Sequence, residues 1–246
     1  MLAALPTTRD EDWRYADAAA LTALAPADLG AWHEAMLAPG ETRAKDLLLD
    51  AGHPGLHRVR LNVGAGARAE LFAVLSAPEY TRLEVEVTLH EGAHFELGGV
   101  TIGGGGATRE IVTRVNHAEP NATSNQVVRS VHWGTATGNF LGRLAVARDA
   151  QKTDAAQSFK ALLLERGASA NAKPELEIFA DDVKCAHGAA IGQMDEAARF
   201  YMASRGIAPD AARALLVRAF VADAFAAHGE PDALLDAALG ALGDMA

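Results

Sequence analysis

Leu83-Glu84-Val85-Glu86-Val87-Thr88-Leu89 alternates apolar and polar residues at every step, and the small-residue turn Glu91-Gly92-Ala93 follows. Successive side chains on a strand point to opposite faces, so this stretch predicts a strand with one buried face. The same alternation occurs at Val59, Leu61 and Val63, at Ile111, Thr113 and Val115, and at Leu176, Ile178 and Ala180. Turn clusters separate the runs: Gly64-Ala65-Gly66, Trp133-Gly134-Thr135, Arg166-Gly167-Ala168 and His187-Gly188-Ala189. A sharp turn and a short strand, repeated, are what a β-solenoid needs, because each coil stacks its strand on the next. The repeat is uneven, longer from Gly134 to Gly167 than from Gly167 to Gly188, so pattern alone leaves a β-sandwich open.

On either side the period changes. Residues 26–37 place apolar side chains at helical spacing until Pro39-Gly40 break it. Near the other end, Asp195 is placed to cap a helix through Arg199-Phe200-Tyr201-Met202 that ends at Gly206. Pro209 stands in the favoured first turn of the next helix. There Ala212, Leu215, Leu216, Ala219, Phe220 and Ala224 form an apolar stripe, either packed within the tail or open to a partner. A last short helix runs through Leu234, Leu235, Leu239 and Leu242. The division expected is an N-terminal helical segment (1–54), a β core (55–192) and a C-terminal helical tail (193–246).

Composition narrows the function. Half of the 246 residues are hydrophobic, which argues against disorder. A formal charge of -10 with no run of Lys and Arg disfavours nucleic-acid binding, where phosphate contacts supply most of the affinity. A single cysteine, Cys185, excludes an internal disulfide. The start Met1-Leu2-Ala3-Ala4-Leu5-Pro6 has no basic segment or long apolar stretch, and no run reaches bilayer-spanning length. A cytoplasmic, soluble protein with no nucleic-acid or membrane partner is expected.

Candidate chemistry centres on Asp181-Asp182-Val183-Lys184-Cys185-Ala186-His187-Gly188. On a strand, residues two apart share a face, so Cys185 and His187 project together. Thiolate and imidazole suit iron–sulfur species or zinc, and Lys184 with a cationic His187 would favour the thiolate. Two ligands do not complete a tetrahedral site, so another chain or an exogenous ligand must supply the rest. The plainer alternative is a buried cysteine beside a turn histidine. A nucleophilic pairing of Cys185 with His90, His94, His117 or His132 needs hydrogen-bond reach, and the sequence selects none of them. Gly103-Gly104-Gly105-Gly106 could cradle phosphate, but no P-loop lysine follows; Ala107-Thr108-Arg109 does, and a flexible surface loop is expected. Asp149 with Asp154, or Asp181 with Asp182, could be cast as paired glycosidase acids, but their neighbours give no reason for it.

Gly142-Arg143-Leu144-Ala145-Val146, with Ala150-Gln151-Lys152-Thr153-Asp154-Ala155-Ala156-Gln157 after it, resembles a coil shared by the SufB/SufD family. The resemblance continues through Lys160-Ala161-Leu162-Leu163-Leu164 and from Lys173-Pro174-Glu175 to His187-Gly188-Ala189. It runs on through Met194-Asp195-Glu196 and Phe200-Tyr201-Met202-Ala203-Ser204-Arg205-Gly206-Ile207 to Phe220. Glu11-Asp12-Trp13-Arg14-Tyr15 resembles the family's acidic-Trp-basic-Tyr signature.

This resemblance implies a mainly β protein: a right-handed parallel β-helix core flanked by N-terminal and C-terminal α-helical segments. It implies a non-catalytic scaffold subunit for iron–sulfur cluster assembly. The segment Lys184-Cys185-x-His187-Gly188 and the lone cysteine fit the D type rather than the cysteine-richer B type. The implied partners are a B-type subunit, in a heterodimer, and an ABC-type ATPase that hydrolyses ATP; alone, the chain could form a homodimer. By the same resemblance His187, and second Cys185, serve the nascent cluster at the B–D interface, with a thiolate from the B subunit. A transient iron–sulfur cluster would form there, and no cofactor would be held stably by the isolated chain. Arg205, Leu216 and Phe220 fall in the implied ATPase-docking tail. The chain is shorter than many D-type subunits, which leaves the role of its N-terminal part open. A stand-alone β-helix enzyme, metal-dependent or hydrolytic and built on Cys185 and His187, is the competing class; a purely structural homodimer is the third.

Overall fold

The structure is a computed structural model that describes residues 5–245. Met1 to Ala4, part of the start on which the leaderless expectation rests, lie outside the described residues. Twelve strands wind back and forth between two sheets. The first two coils are β1 (His33–Leu37) with β2 (Thr42–Leu49), and β3 (Gly55–Val63) with β4 (Arg68–Leu75). The next two are β5 (Thr81–Leu89) with β6 (His94–Gly103), and β7 (Thr108–His117) with β8 (Thr123–His132). The last two are β9 (Thr137–Val146) with β10 (Asp154–Leu163), and β11 (Ser169–Ile178) with β12 (Lys184–Gln193). Odd strands form one six-stranded sheet and even strands the other, each in chain order and every pair parallel. This is a two-sided parallel β-solenoid, and the β-sandwich alternative falls away.

The uneven repeat has a simple cause. Arg58 meets Glu84 at a separation of 26 residues, whereas Thr137 meets Ser169 at 32. β3 and β4 hold nine and eight residues and β9 and β10 ten each, so the later coil lengthens both its strands and its corners. At one series of corners Gly66 and Gly92 adopt left-handed backbone, with φ of 63° and 64°. The equivalent corners of later coils place Asn121 (φ 61°) and Lys152 (φ 63°) there, each donating its amide to the next coil as the glycines do. Left-handed backbone costs a non-glycine residue roughly 1 kcal/mol, which the inter-coil hydrogen bond offsets.

Two readings of secondary structure are corrected. Residues 26–37 do not form a helix: only a short 3-10 turn, Asp28–Gly30, precedes β1, whose five residues pair with Val59–Val63. A parallel ladder to a neighbouring coil overrides helical propensity worth only tenths of a kcal/mol per residue. Strands therefore begin at His33, ahead of residue 55, and the one α-helix before them among the described residues is α1 (Ala18–Ala23). His187-Gly188-Ala189 is not a turn but the middle of β12.

The alternating apolar residues fill the interior, as expected from Leu83, Val85, Val87 and Leu89, all fully buried. Phe140 and Phe159 stack across it at 5.6 Å and 9°. The outer face of the odd sheet carries polar residues buried under the N-terminal segment. Arg82 pairs with Glu84 at 2.7 Å and Glu110 at 3.1 Å, and Trp13 lies 3.7 Å above its guanidinium. Arg82 also donates to the Asp12 carbonyl at 2.7 Å, and Asn139 to the Tyr15 carbonyl at 2.9 Å. The Glu11-to-Tyr15 signature is thus a clip on that sheet, held by a desolvated cation–π contact.

The tail consists of α2 (Glu196–Ser204), α3 (Pro209–Ala222), a 3-10 turn Asp223–Phe225 and α4 (Asp232–Gly240), of which α3, the turn and α4 cover the even sheet. Asp195 caps α2 and Pro209 opens α3 as expected. The stripe is offset from the expected one. Val217, Val221, Ala224 and Phe225 are buried against Phe72, Val100 and Val131, Ala212 is buried too, and Leu215 remains 48% exposed. Leu216 and Phe220 are half-buried.

A Cβ on Gly98 would stand 2.1 Å from the Ala224 carbonyl oxygen. Gly98→Ala is therefore expected to lift the tail, seen as faster amide exchange across residues 209–240 and a lowered thermal midpoint. Two interior histidines give a pH prediction. Burial draws His117 down to about 4, and burial with the nearby Arg109 draws His132 down to about 3. The unfolded rings titrate near 6.5, so the unfolded state takes up protons first as pH falls. Stability is complete above about pH 6.5 and is lost below it, by up to about 1.4 kcal/mol per pH unit for each histidine. Denaturant midpoints measured from pH 7 to 4 should fall accordingly, and less steeply in His117→Gln.

Candidate functional site

Both sheets end at the last coil, so β11 and β12 each keep one edge without a pairing strand among the described residues. On β12, Cys185 stacks on Ala155, His187 on Gln157, Ala189 on Phe159 and Ile191 on Ala161. All four supporting residues are buried on the interior face of β10. Cys185 and His187 therefore share the interior-directed face of the strand, as their spacing predicted, at the open end of the solenoid. Cys185 is half-buried, against the main interior cluster and against Val146, Ala150 and Ala180. His187 is exposed.

The electrostatics differ from expectation. Lys184 and His187 do not favour the thiolate: burial, and then the Asp154 carboxylate, push the Cys185 thiol up. No histidine bonds to Cys185 among the described residues. His90 meets Asn62 at 2.8 Å and Glu119 at 3.0 Å, His94 meets Thr123, and His132 meets the Gly103 carbonyl. His117 bonds Ser124 at 2.9 Å, two coils away from Cys185 along the same stack, about 9–10 Å at parallel-strand spacing. The nucleophilic pair is not assembled. Nor are the carboxylate pairs: Asp182 is engaged by Lys152, and Asp154 lies by the thiol. Among the described residues no group of three or more His, Cys, Asp or Glu is placed to hold a metal.

Two features escaped the sequence. Gln126, Gln157 and His187 form one column on the interior of the even sheet. Both glutamine amides are buried, with no partner among the described residues. Gly142 makes room for one of them, since a Cβ there would lie 2.9 Å from Gln157 Nε2. The signal was present: Gln157 interrupts the apolar alternation Ala155, Phe159, Ala161. The second feature is α2, which buries none of its residues and leaves Phe200 77% and Tyr201 59% exposed. Arg205 ends that helix with its guanidinium 5.2 Å from the Tyr201 ring. Leu216 and Phe220 lie on α3, Phe220 packed against the tail cluster.

The chain is thus a parallel β-solenoid with Cys185 and His187 on one face of an unpaired edge strand, and it carries a helical tail. Residues 50–220 match the family described as SUF system FeS cluster assembly, SufBD core domain. The chain belongs to that family. It is 37% identical over 111 residues to the iron-sulfur cluster assembly protein SufD of Escherichia coli, covering 45% of this chain and 26% of that one. A SufBD family protein of Synechocystis is 34% identical over 161 residues, 65% of this chain and 36% of the relative. One from Mycobacterium leprae is 30% identical over 180 residues, 70% and 45% of the two chains. The matched part thus spans less than half of these relatives. The likeness to SufD agrees with the D-type resemblance. No helix among the described residues is long and apolar enough to cross a membrane.

If Asp154 holds the thiol up, Asp154→Asn should lower the midpoint of the pH dependence of Cys185 alkylation by iodoacetamide. At pH 8 the variant should react a few-fold faster. An unchanged profile would assign the whole effect to burial.

Proposed function

We propose that this chain is the D-type scaffold subunit of an iron–sulfur cluster assembly complex, with no complete active site of its own. The observation that carries this reading is the placement of Cys185 and His187 on the interior face of an unpaired edge strand. An imidazole and a thiol are half of a tetrahedral set, and the free strand edge is where a second chain can complete both the ladder and the ligands. Apolar Ile178, Phe179 and Ile191 are exposed beside it, at 39%, 67% and 48%, a surface that a partner would bury.

Family membership favours a B-type subunit as that partner, contributing the missing thiolate while an iron–sulfur cluster is built as cargo. A homodimer through the same edge is the alternative occupant. The tail serves as the docking element for an ABC-type ATPase, through Arg205, Leu216 and Phe220 together with the exposed Phe200 and Tyr201. ATP hydrolysis falls to that partner, since the glycine-rich corner at 103–106 lacks the P-loop lysine. The isolated chain holds no stable cofactor in this reading, and the complex works in the cytoplasm.

The test is co-expression with B-type and ATPase candidates, purifying through a tag on this chain. A ternary complex that gains a cluster supports the proposal. His187→Ala should leave the complex intact while cluster reconstitution falls roughly tenfold or more, and Ile191→Lys should block pairing through the edge. A chain recovered alone with bound metal and turnover would replace the scaffold reading with the enzyme.

A further inference from the structure

Three arginines are buried in this protein, and two of them are matched. Arg82 has Glu84 and Glu110, and Arg129 has Asp223 at 2.5 Å. Arg109 is 1% exposed, yet its Nε and Nη1 have no acceptor and it pairs with no carboxylate among the described residues. Its neighbours in the ladder are Thr81 and Gly138, which offer no charge. Burial draws it down only to about 10, so it stays cationic at neutral pH. Stripping a guanidinium of water costs several kcal/mol unless an opposite charge compensates.

The arginine lines a cavity of about 450 Å³ at a corner of the solenoid. One wall is the glycine-rich corner itself. Gly103 stands so close that a Cβ there would lie 2.4 Å from Arg109 Nη2, and a Cβ on Gly104 would lie 2.0 Å from Trp133 Nε1. Glycine is required at both positions because guanidinium and indole pack directly on the backbone. The amides of Gly104, Gly105 and Gly106 make no backbone hydrogen bond among the described residues. The far wall is the end of the tail, at Ala237, Gly240 and Ala241. One acid, Asp50, reaches the lining, and it is occupied by His53 at 2.9 Å and the Gly52 amide at 3.0 Å.

We propose that this corner is a binding site for a phosphate group or an equivalent tetrahedral oxyanion, held between Arg109, the glycine corner and Trp133. It is separate from Cys185 and His187 and does not depend on the scaffold reading. The glycine run that fails as a P-loop works differently here: the cation comes from the strand behind the turn, six residues after Gly103, rather than from a following helix. A bound anion in the cavity offsets the buried charge and ties the end of the tail to the solenoid. Asp50 at the rim favours a protonated species such as monohydrogen phosphate.

Calorimetric titration of the full chain with inorganic phosphate, at ionic strength held with chloride, tests this. Saturable one-to-one binding and a raised thermal midpoint are expected. Arg109→Met should weaken phosphate binding roughly tenfold to a hundredfold, the loss of one or two charge-assisted hydrogen bonds. A second arm with adenosine monophosphate separates the sources: tighter binding than phosphate means a group carried on a larger ligand, weaker binding a free ion. Should the methionine variant not fold, amide NMR of the wild-type chain decides. Shifts on phosphate addition must centre on Gly104, Gly105 and Gly106. Shifts elsewhere, no saturation, or an equal response to chloride would overturn the site.

Discussion

A parallel ladder cannot be closed by the strand that makes it; each coil is completed only by the next. Everything in this molecule follows from that constraint. Because successive coils stay in register, side chains stand in columns, and a residue's neighbours are the residues one coil before and one after. Leu83 sits under Ile111 and Ile111 under Phe140, which is how a chain with so few aromatics builds a continuous interior. The same rule carries polar groups: Gln126, Gln157 and His187 form a column because the register allows no other neighbour. The column, like the ladder, ends on an edge, at His187 two residues from Cys185.

The two outer faces meet water by different means. The odd sheet is lined with Arg–Glu pairs, among them Arg58 with Glu84, Arg60 with Glu86 and Arg143 with Glu177. Most are exposed, and exposed pairs contribute only about 0–1 kcal/mol each. They keep that face soluble more than they hold it together, except where Trp13 and its neighbours cover Arg82. The outer face of the even sheet carries an apolar patch of Phe72, Val74, Val100, Ile102 and Val131, so it needs a lid, and the tail is that lid. Large buried side chains there, Phe72, Phe225 and Leu234, each contribute roughly 1.5–3 kcal/mol by burial. The tail is therefore part of the fold, while its outer surface, with Phe200 and Tyr201, is free.

The middle coils were legible because one face of each strand is buried and the other polar: Leu83 to Leu89 could be nothing else. Elsewhere the signal failed for identifiable reasons. His33 to Leu37 is short, Ala- and Leu-bearing, and stabilised by partners 26 residues away that no local window contains. His187-Gly188-Ala189 looked like a turn because the last coil is rich in small residues, yet its strand is fixed by β10. Asn121 and Lys152 hid two corners by taking a glycine conformation. The tail stripe was misplaced toward Leu215 and Ala219, since helix packing turned Val217 and Val221 inward. That Cys185 and His187 share a strand face followed from their spacing, but the effect of Asp154 on the thiol requires knowing that β10 lies alongside.

That effect bears on how such a site is used. An exposed thiolate on an unpaired edge would be prone to oxidation and to capturing stray metal. Burial and then the Asp154 carboxylate instead push the Cys185 thiol up, away from the thiolate. Metal coordination reverses this balance, because a bound cation is the largest local charge and deprotonates a coordinating thiol. A partner strand closing the edge would bring the remaining ligands and complete the ladder in one step. In the proposed scaffold, pairing the last strand and completing the ligand set would be one event, which would confine reactivity to the assembled state.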